Sequence, residues 1–189
     1  MSRHFLAVDC EFEQPSCALI QIGACIGDLH TGEVVESFSR FIKTGVPLSQ
    51  FISKLTGITD YQIETEGVSL VAAYNDLLAF RARYPDIFPA AIVWGAGDMW
   101  QIKKQVTEEQ HKVLSDLQIV WPFGNSEIDT KKLYQCYRLA NGLSYRSGLG
   151  KSMGRLGLQF RGRAHNAQID AENTWRTFHH LVGKYRDTQ

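Results

Sequence analysis

Two carboxylates interrupt an apolar run near the start of the chain, and they constrain the fold more than any other feature. Phe5-Leu-Ala-Val-Asp-Cys-Glu-Phe12 reads as a buried strand near residues 4 to 10, with Asp9 and Glu11 two positions apart at its end. Strand side chains alternate, so the pair shares one face. Like charges side by side on an apolar strand resist desolvation and raise each other's pKa, and a divalent cation is the simplest way to neutralise them. Alone, the pair also fits an exposed strand end. The runs at 17–26 and 33–43, punctuated by Pro15, Gly27, Gly32 and Gly45, read as two more strands. Three strands in immediate succession predict an antiparallel meander with the acidic strand at its centre.

A second acidic position follows Ile92-Val-Trp-Gly-Ala-Gly, where a short strand near 90–94 runs into two glycines and then Asp98. Glycines there allow a sharp turn and close approach to a bound group. Asp98 fits an N-cap for a helix over 98–106, and it equally fits a ligand at the C-terminal end of a sheet strand; the two roles can coexist. Further on, Arg163-Ala-His-Asn-Ala-Gln-Ile-Asp170 opens a helix running to about Lys184. Ala167, Ala171, Thr174, Phe178 and Leu181 recur at helical spacing as its core face. Asp170 falls beside that stripe, and His165 lies at or just before the first turn.

Taken in order, Asp9-Cys-Glu11, the Asp98 segment and His165-x-Ala167-x-x-Asp170 resemble the three motifs of the DEDDh family of 3′-to-5′ exonucleases. Ile20-Gln-Ile-Gly-Ala24 is similar to the family's second strand, and Leu55-Thr-Gly-Ile-Thr59 to its substrate-contacting loop. The resemblance covers almost the whole chain. It implies a ribonuclease H-like α/β fold, a mixed five-stranded sheet covered by helices, in one exonuclease domain over 1–189. It also implies that Asp9, Glu11, Asp98 and Asp170 hold two metal ions. Two such ions, about 3.5 to 4 Å apart, activate water and stabilise the leaving oxygen in phosphodiester cleavage. Oxygen ligands without a Cys/His cluster favour Mg²⁺ or Mn²⁺ over zinc. His165 then serves as general base, since an imidazole with an ordinary pKa of about 6.5 accepts a proton near neutrality.

The implied substrate is the 3′ end of single-stranded nucleic acid, released as nucleoside 5′-monophosphates. Phe12, Leu55 and Thr56 would flank the terminal base, while Arg161 and Arg163 grip the backbone. Leu55-Thr-Gly-Ile-Thr and Trp94-Gly-x-x-Asp98 look most similar to exoribonucleases acting on small or structured RNA, which favours RNA. Gly97, where that group often has an aromatic, and Glu13, where relatives often carry a small hydroxyl residue, depart from the pattern. A single-stranded DNA exonuclease is the alternative within the enzyme class. A catalytically silent binding module on the same fold should lack at least one of the five residues, and all five are present.

Composition fits these expectations. The 189 residues, 44% of them hydrophobic, suit one domain with a full core. The four cysteines form no CxxC pair, and neither a signal-peptide pattern nor an apolar stretch of about 20 residues occurs, so a reduced, cytoplasmic setting away from membranes is expected. Net charge is zero, yet Lys131, Lys132, Arg138, Arg146, Lys151, Arg155, Arg161 and Arg163 follow one another with no acid between them. Such a stretch is either a solvated helical face or a rim for phosphates. Gly150-Lys-Ser152 is no P-loop, because Tyr145 stands where the motif needs glycine. Leu149, Met153 and Leu156 instead form the stripe of a short helix over 147–156. The remaining predicted elements are helices over 48–55, 68–84 and 129–140 and a short fifth strand near 118–121.

Overall fold

A computed structural model describes residues 2–112 and 118–186. Its strands are β1 (His4–Phe12), β2 (Leu19–Asp28), β3 (Val34–Phe41), β4 (Ile92–Val93) and β5 (Ile128–Asp129). Its helices are α1 (Gln50–Thr56), α2 (Asp60–Glu66), α3 (Leu70–Ala82), α4 (Asp98–His111), α5 (Thr130–Ala140), α6 (Leu149–Arg155) and α7 (Ala167–Arg186). The five strands form one sheet in the order β3-β2-β1-β4-β5. The first three make the predicted antiparallel meander, while β4 and β5 add in parallel on the other side of β1. This is the mixed α/β sheet expected, and β1 is central.

The alternation of β1 divides the protein into two layers. Leu6, Val8 and Cys10 join the larger core with Tyr74, Leu77 and Phe80 of α3 and Ile102 and Val106 of α4. Phe5 and Ala7 face the other way, onto Trp175 and Phe178 of α7. Asp9 and Glu11 continue that second row, so the same face that packs α7 delivers both carboxylates. The predicted core stripe of α7 is buried at every position: Ala167, Ala171, Thr174, Phe178 and Leu181.

Two glycines of β2 set how closely α7 can approach. A Cβ at Gly23 would lie 2.0 Å from the carbonyl carbon of Ala167, and one at Gly27 would lie 2.0 Å from the Trp175 ring. Beside them, Gln21 accepts the Ala167 N–H at 3.0 Å and donates to Ser39 Oγ at 3.0 Å, tying the first turn of α7 to the sheet. Because Gly23 is the register partner of Asp9 and Gln21 of Glu11, this seating sets Asp170 beside the first acidic pair.

One expectation about the sheet needs correction. The apolar residues at 118–121 form no strand. Ile119 and Trp121 pack instead on the larger core, with Trp121 stacked on Tyr74 at 6.1 Å, and the fifth strand is Ile128–Asp129, paired to Ile92–Val93. A further helix, α2, follows the segment from Leu55 to Thr59. Thr59 opens α2, and its side chain accepts the Gln62 N–H while Gln62 reaches back to the Thr59 N–H.

Candidate active site

The site builds up from the C-terminal end of β1. Asp9 and Glu11, both half-buried, stand on the face of β1 that meets α7. His165 precedes α7 in a left-handed conformation, φ 62°, and its N–H donates to Asp170 Oδ2 at 2.9 Å. Asn166 caps the helix by accepting the Ile169 N–H at 3.2 Å. As a result, ligating atoms of Glu11, His165 and Asp170 all lie within 4.8 Å of one another. Asn173 holds the preceding loop by accepting the Arg161 N–H at 3.1 Å and donating to its carbonyl at 2.9 Å.

Asp98 arrives from the other side of β1. Gly95 and Gly97 take φ values of 91° and 131°, which only glycine tolerates readily, and the chain turns directly into α4. The N-cap position belongs to Gly97, and Asp98 is the first helical residue. Glu127 takes over the capping: its carboxylate accepts the N–H groups of Gly97 and Met99, each at 2.8 Å. The Asp98 carboxylate is therefore not spent on the helix end, which corrects the N-cap reading. Glu127 carries no motif of its own. Only its position before a short strand could have drawn attention to it.

The four carboxylates are electrostatically one group. Burial pushes Asp9 well above the ordinary carboxylate range, and the charges of Asp98, Asp170 and Glu11 push further. Glu11 rises to about 7 through burial and then Asp170 and Asp98. Asp98 rises to about 7 through burial and then Glu127. Asp170 is raised by burial against the opposing hydrogen bond from His165. Among the described residues no Lys or Arg forms an ion pair with any of them, and Asp170 Oδ1 is buried without a hydrogen-bond partner. Hard oxygen donors with an unsatisfied buried oxygen fit a divalent cation of the Mg²⁺ or Mn²⁺ type.

A pH signature follows. Carboxyls whose folded pKa is raised keep their protons while the unfolded chain releases them, so they support the folded state below the unfolded values and lose that support as pH rises. The window runs from about 4 to the folded values of about 7 for Glu11 and Asp98. Metal-free protein should therefore melt lower at about pH 8 than at about pH 5, and excess Mg²⁺ should raise the melting temperature by several degrees at the higher pH and little at the lower. Thermal melts in EDTA and in MgCl₂ check this; an equal Mg²⁺ effect at both pH values would count against a carboxylate site.

The other predicted residues differ in exposure and in what they touch. Leu55, at the end of α1, is 37% exposed. Thr56 is buried, its hydroxyl donating to the Ile52 carbonyl at 2.9 Å and accepting the Ile58 N–H at 3.0 Å, so it shapes the loop and does not project from it. Phe12 follows a bulge in β1 and rests half-buried against the larger core. Arg163 is exposed, and its guanidinium packs where a Cβ on Gly57 would be, 2.0 Å from Nη1, linking the Leu55 loop to the His165 loop. Glu13 is buried and accepts from Gln14 N at 2.8 Å and Ser49 N at 3.0 Å, so it fastens α1 to the end of β1. Burial would raise its pKa, but the hydrogen bonds from Ser49 and Gln14 hold it below the ordinary value.

The basic stretch divides. Arg138 donates to the Ser144 carbonyl and Arg155 to the Ser144 and Arg146 carbonyls, which ties down the intervening loop. Lys151, Arg161 and Arg163 stay exposed, and Lys151 lines a cleft of about 310 Å³ together with Gly148, Leu149, Gly150, Phe160, Ala164, His165 and Asp170. The false P-loop is thus the start of α6 and one wall of this cleft. Phe160 on the same wall was not singled out in the sequence, where a lone aromatic between loops gives no pattern.

Residues 6–178 match the RNase_T family model, described as Exonuclease. The mixed sheet, with carboxylates from β1, α4 and α7 and a histidine before α7, is the arrangement that the resemblance to DEDDh 3′-to-5′ exonucleases implies. The chain belongs to the RNase_T exonuclease family. Over 46 residues, 24% of the chain, it is 52% identical to the PolC-type DNA polymerase III of Streptococcus mutans, a stretch spanning 3% of that polymerase. Its fold is similar to the nuclease domain of 3′hExo, a DEDDh family member bound to rAMP (TM-score 0.76, 19% identity, 97% of this chain and 93% of that one). Cell-death related nuclease 4, CRN-4, is similar at a TM-score of 0.77 and 21% identity over 96% of this chain and 64% of that one. The Mg²⁺- and Mn²⁺-bound Pop2p of S. pombe is similar at 0.70 and 19% over 98% and 85%. Among the described residues no helix is long and apolar enough to cross a membrane.

Proposed function

We propose that the chain acts as one exonuclease domain that hydrolyses single-stranded nucleic acid from its 3′ end, RNA in preference to DNA, and releases nucleoside 5′-monophosphates. The observation that carries this is the convergence of Asp9, Glu11, Asp98 and Asp170, four buried or half-buried carboxylates that form no ion pair with a Lys or Arg among the described residues, beside His165. These four would hold two Mg²⁺ or Mn²⁺ ions. When bound, such a pair supplies the Lewis acidity that acidifies the attacking water and stabilises charge on the leaving 3′ oxygen. His165 takes the proton from that water. Leu55 wedges against the terminal base with Phe12 beside it, on a loop whose shape Thr56 fixes. Lys151, which lines the cleft, and the exposed Arg161 and Arg163 meet the phosphates.

The rAMP-bound 3′hExo neighbour supports the RNA preference, while the PolC-type match favours DNA as the second reading. End-labelled RNA and DNA of equal sequence, with free or blocked 3′ ends, in Mg²⁺, Mn²⁺ or EDTA, separate them. The expected result is stepwise loss from free 3′ ends, faster on RNA and abolished by EDTA. Equal rates on blocked or circular substrates would overturn the exonuclease reading, and faster DNA degradation would select the alternative.

A further inference from the structure

The turn before Asp98 is held by carboxylates that lie outside the four. Ile92 pairs with Ile128 and Val93 with Asp129, and Glu127 and Asp129 on either side of Ile128 both bond to the segment that follows β4. Asp129 Oδ1 accepts the Gly95 N–H at 3.2 Å. Glu127 Oε2 accepts the Gly97 N–H and Glu127 Oε1 the Met99 N–H, both at 2.8 Å. The two amides taken by Glu127 flank Asp98 in sequence, so its backbone is fixed from both sides while its own carboxylate makes no capping bond. Gly97 has nothing within 4 Å of a would-be Cβ, so it is glycine because of its φ of 131°, not for want of space. An anion at a helix N-terminus is favoured by the exposed N–H groups and the helix dipole, and here the protein supplies that anion itself.

We infer that Glu127 is a positioning residue for the exonuclease reaction: its two-point grip on the Gly97 and Met99 amides fixes the unusual turn that presents Asp98 to the metal-binding group. This rests on the proposed role of Asp98 as a metal ligand. Groups that orient metal ligands in this way typically matter by about 10–100-fold in metal affinity or activity. Asp129 supports the same turn one residue earlier, through Gly95.

Glu127→Gln tests it. The amide keeps one acceptor oxygen and sets an NH₂ against the other backbone N–H, breaking one of the two bonds. Turnover, kcat, should fall about 10–100-fold with KM for the oligonucleotide unchanged, and Mn²⁺ binding followed by electron paramagnetic resonance should weaken by a similar factor. In an Asp98→Ala background, adding Glu127→Gln should weaken Mn²⁺ binding no further, because its effect passes through Asp98. Gly97→Ala, which leaves Glu127 in place and denies the turn its φ, should reproduce the loss of kcat and of Mn²⁺ affinity, and it decides the matter should Glu127→Gln fail to fold. Parental kcat and Mn²⁺ affinity in both variants, or a full additional loss on top of Asp98→Ala, would overturn the positioning role alone. A parent that binds Mn²⁺ no better than Asp98→Ala would overturn the metal-site reading beneath it.

Discussion

Asp9→Ala should cut hydrolysis by several orders of magnitude and yet raise the melting temperature of the metal-free protein. Asp9 sits among three other carboxylates, and its charge is opposed first by burial and then by Asp98, Asp170 and Glu11. Removing it relieves a repulsion that only bound metal offsets. The sign follows from linkage: a carboxyl with a raised folded pKa destabilises the fold increasingly as pH climbs through that value. The gain from Asp9→Ala in EDTA should therefore be larger at about pH 8 than at about pH 5. In Mg²⁺ the order should reverse, because the parent gains binding energy that the variant lacks. Single-turnover rates and paired melts measure both halves. A variant that melts far below the parent in EDTA and retains activity would make Asp9 a structural residue.

The acidic strand was legible because its signal is local. An apolar run with two carboxylates at strand spacing has few solutions, and β1 lies at the sheet centre with Asp9 and Glu11 on the α7 face. The α7 stripe was legible for the same reason, since a helical period over many residues leaves little choice. The fifth strand was not. Residues 118–121 are apolar enough for a strand but are used as a lid on the larger core, whereas Ile128–Asp129 is two residues long, flanked by Glu127 and held by pairing to β4. Composition cannot separate a short strand from a core-packing loop of equal length. Helix α2 did carry a signal, the Thr59-x-x-Gln62 capping box, whose first residue closes the Leu55–Thr59 segment read as a substrate-contacting loop. Glu127 is the deeper case. Its role depends on a turn 30 residues away in sequence, and no spacing within its own segment encodes that contact.

His165→Asn should lower the chemical rate by about 10² to 10⁴-fold, the usual contribution of a general base, while leaving metal binding nearly intact. Asparagine is the right replacement because of the backbone. His165 holds φ at 62°, a left-handed conformation that asparagine adopts more readily than most residues, and its N–H anchors Asp170 at 2.9 Å. His165→Asn keeps that loop and that hydrogen bond, so the imidazole alone is removed, whereas alanine would add backbone strain to the loss. The question has to be put to metal binding as well as rate, since the imidazole lies within 4.8 Å of oxygens of both Glu11 and Asp170 and could ligate as well as accept a proton. As a general base it should be dispensable for Mn²⁺ affinity, and Asp170→Ala should not be. Single-turnover rates and Mn²⁺ titrations on the two variants separate the roles. Loss of Mn²⁺ affinity in His165→Asn equal to that in Asp170→Ala would make the histidine a ligand and require another group to take the proton from the attacking water.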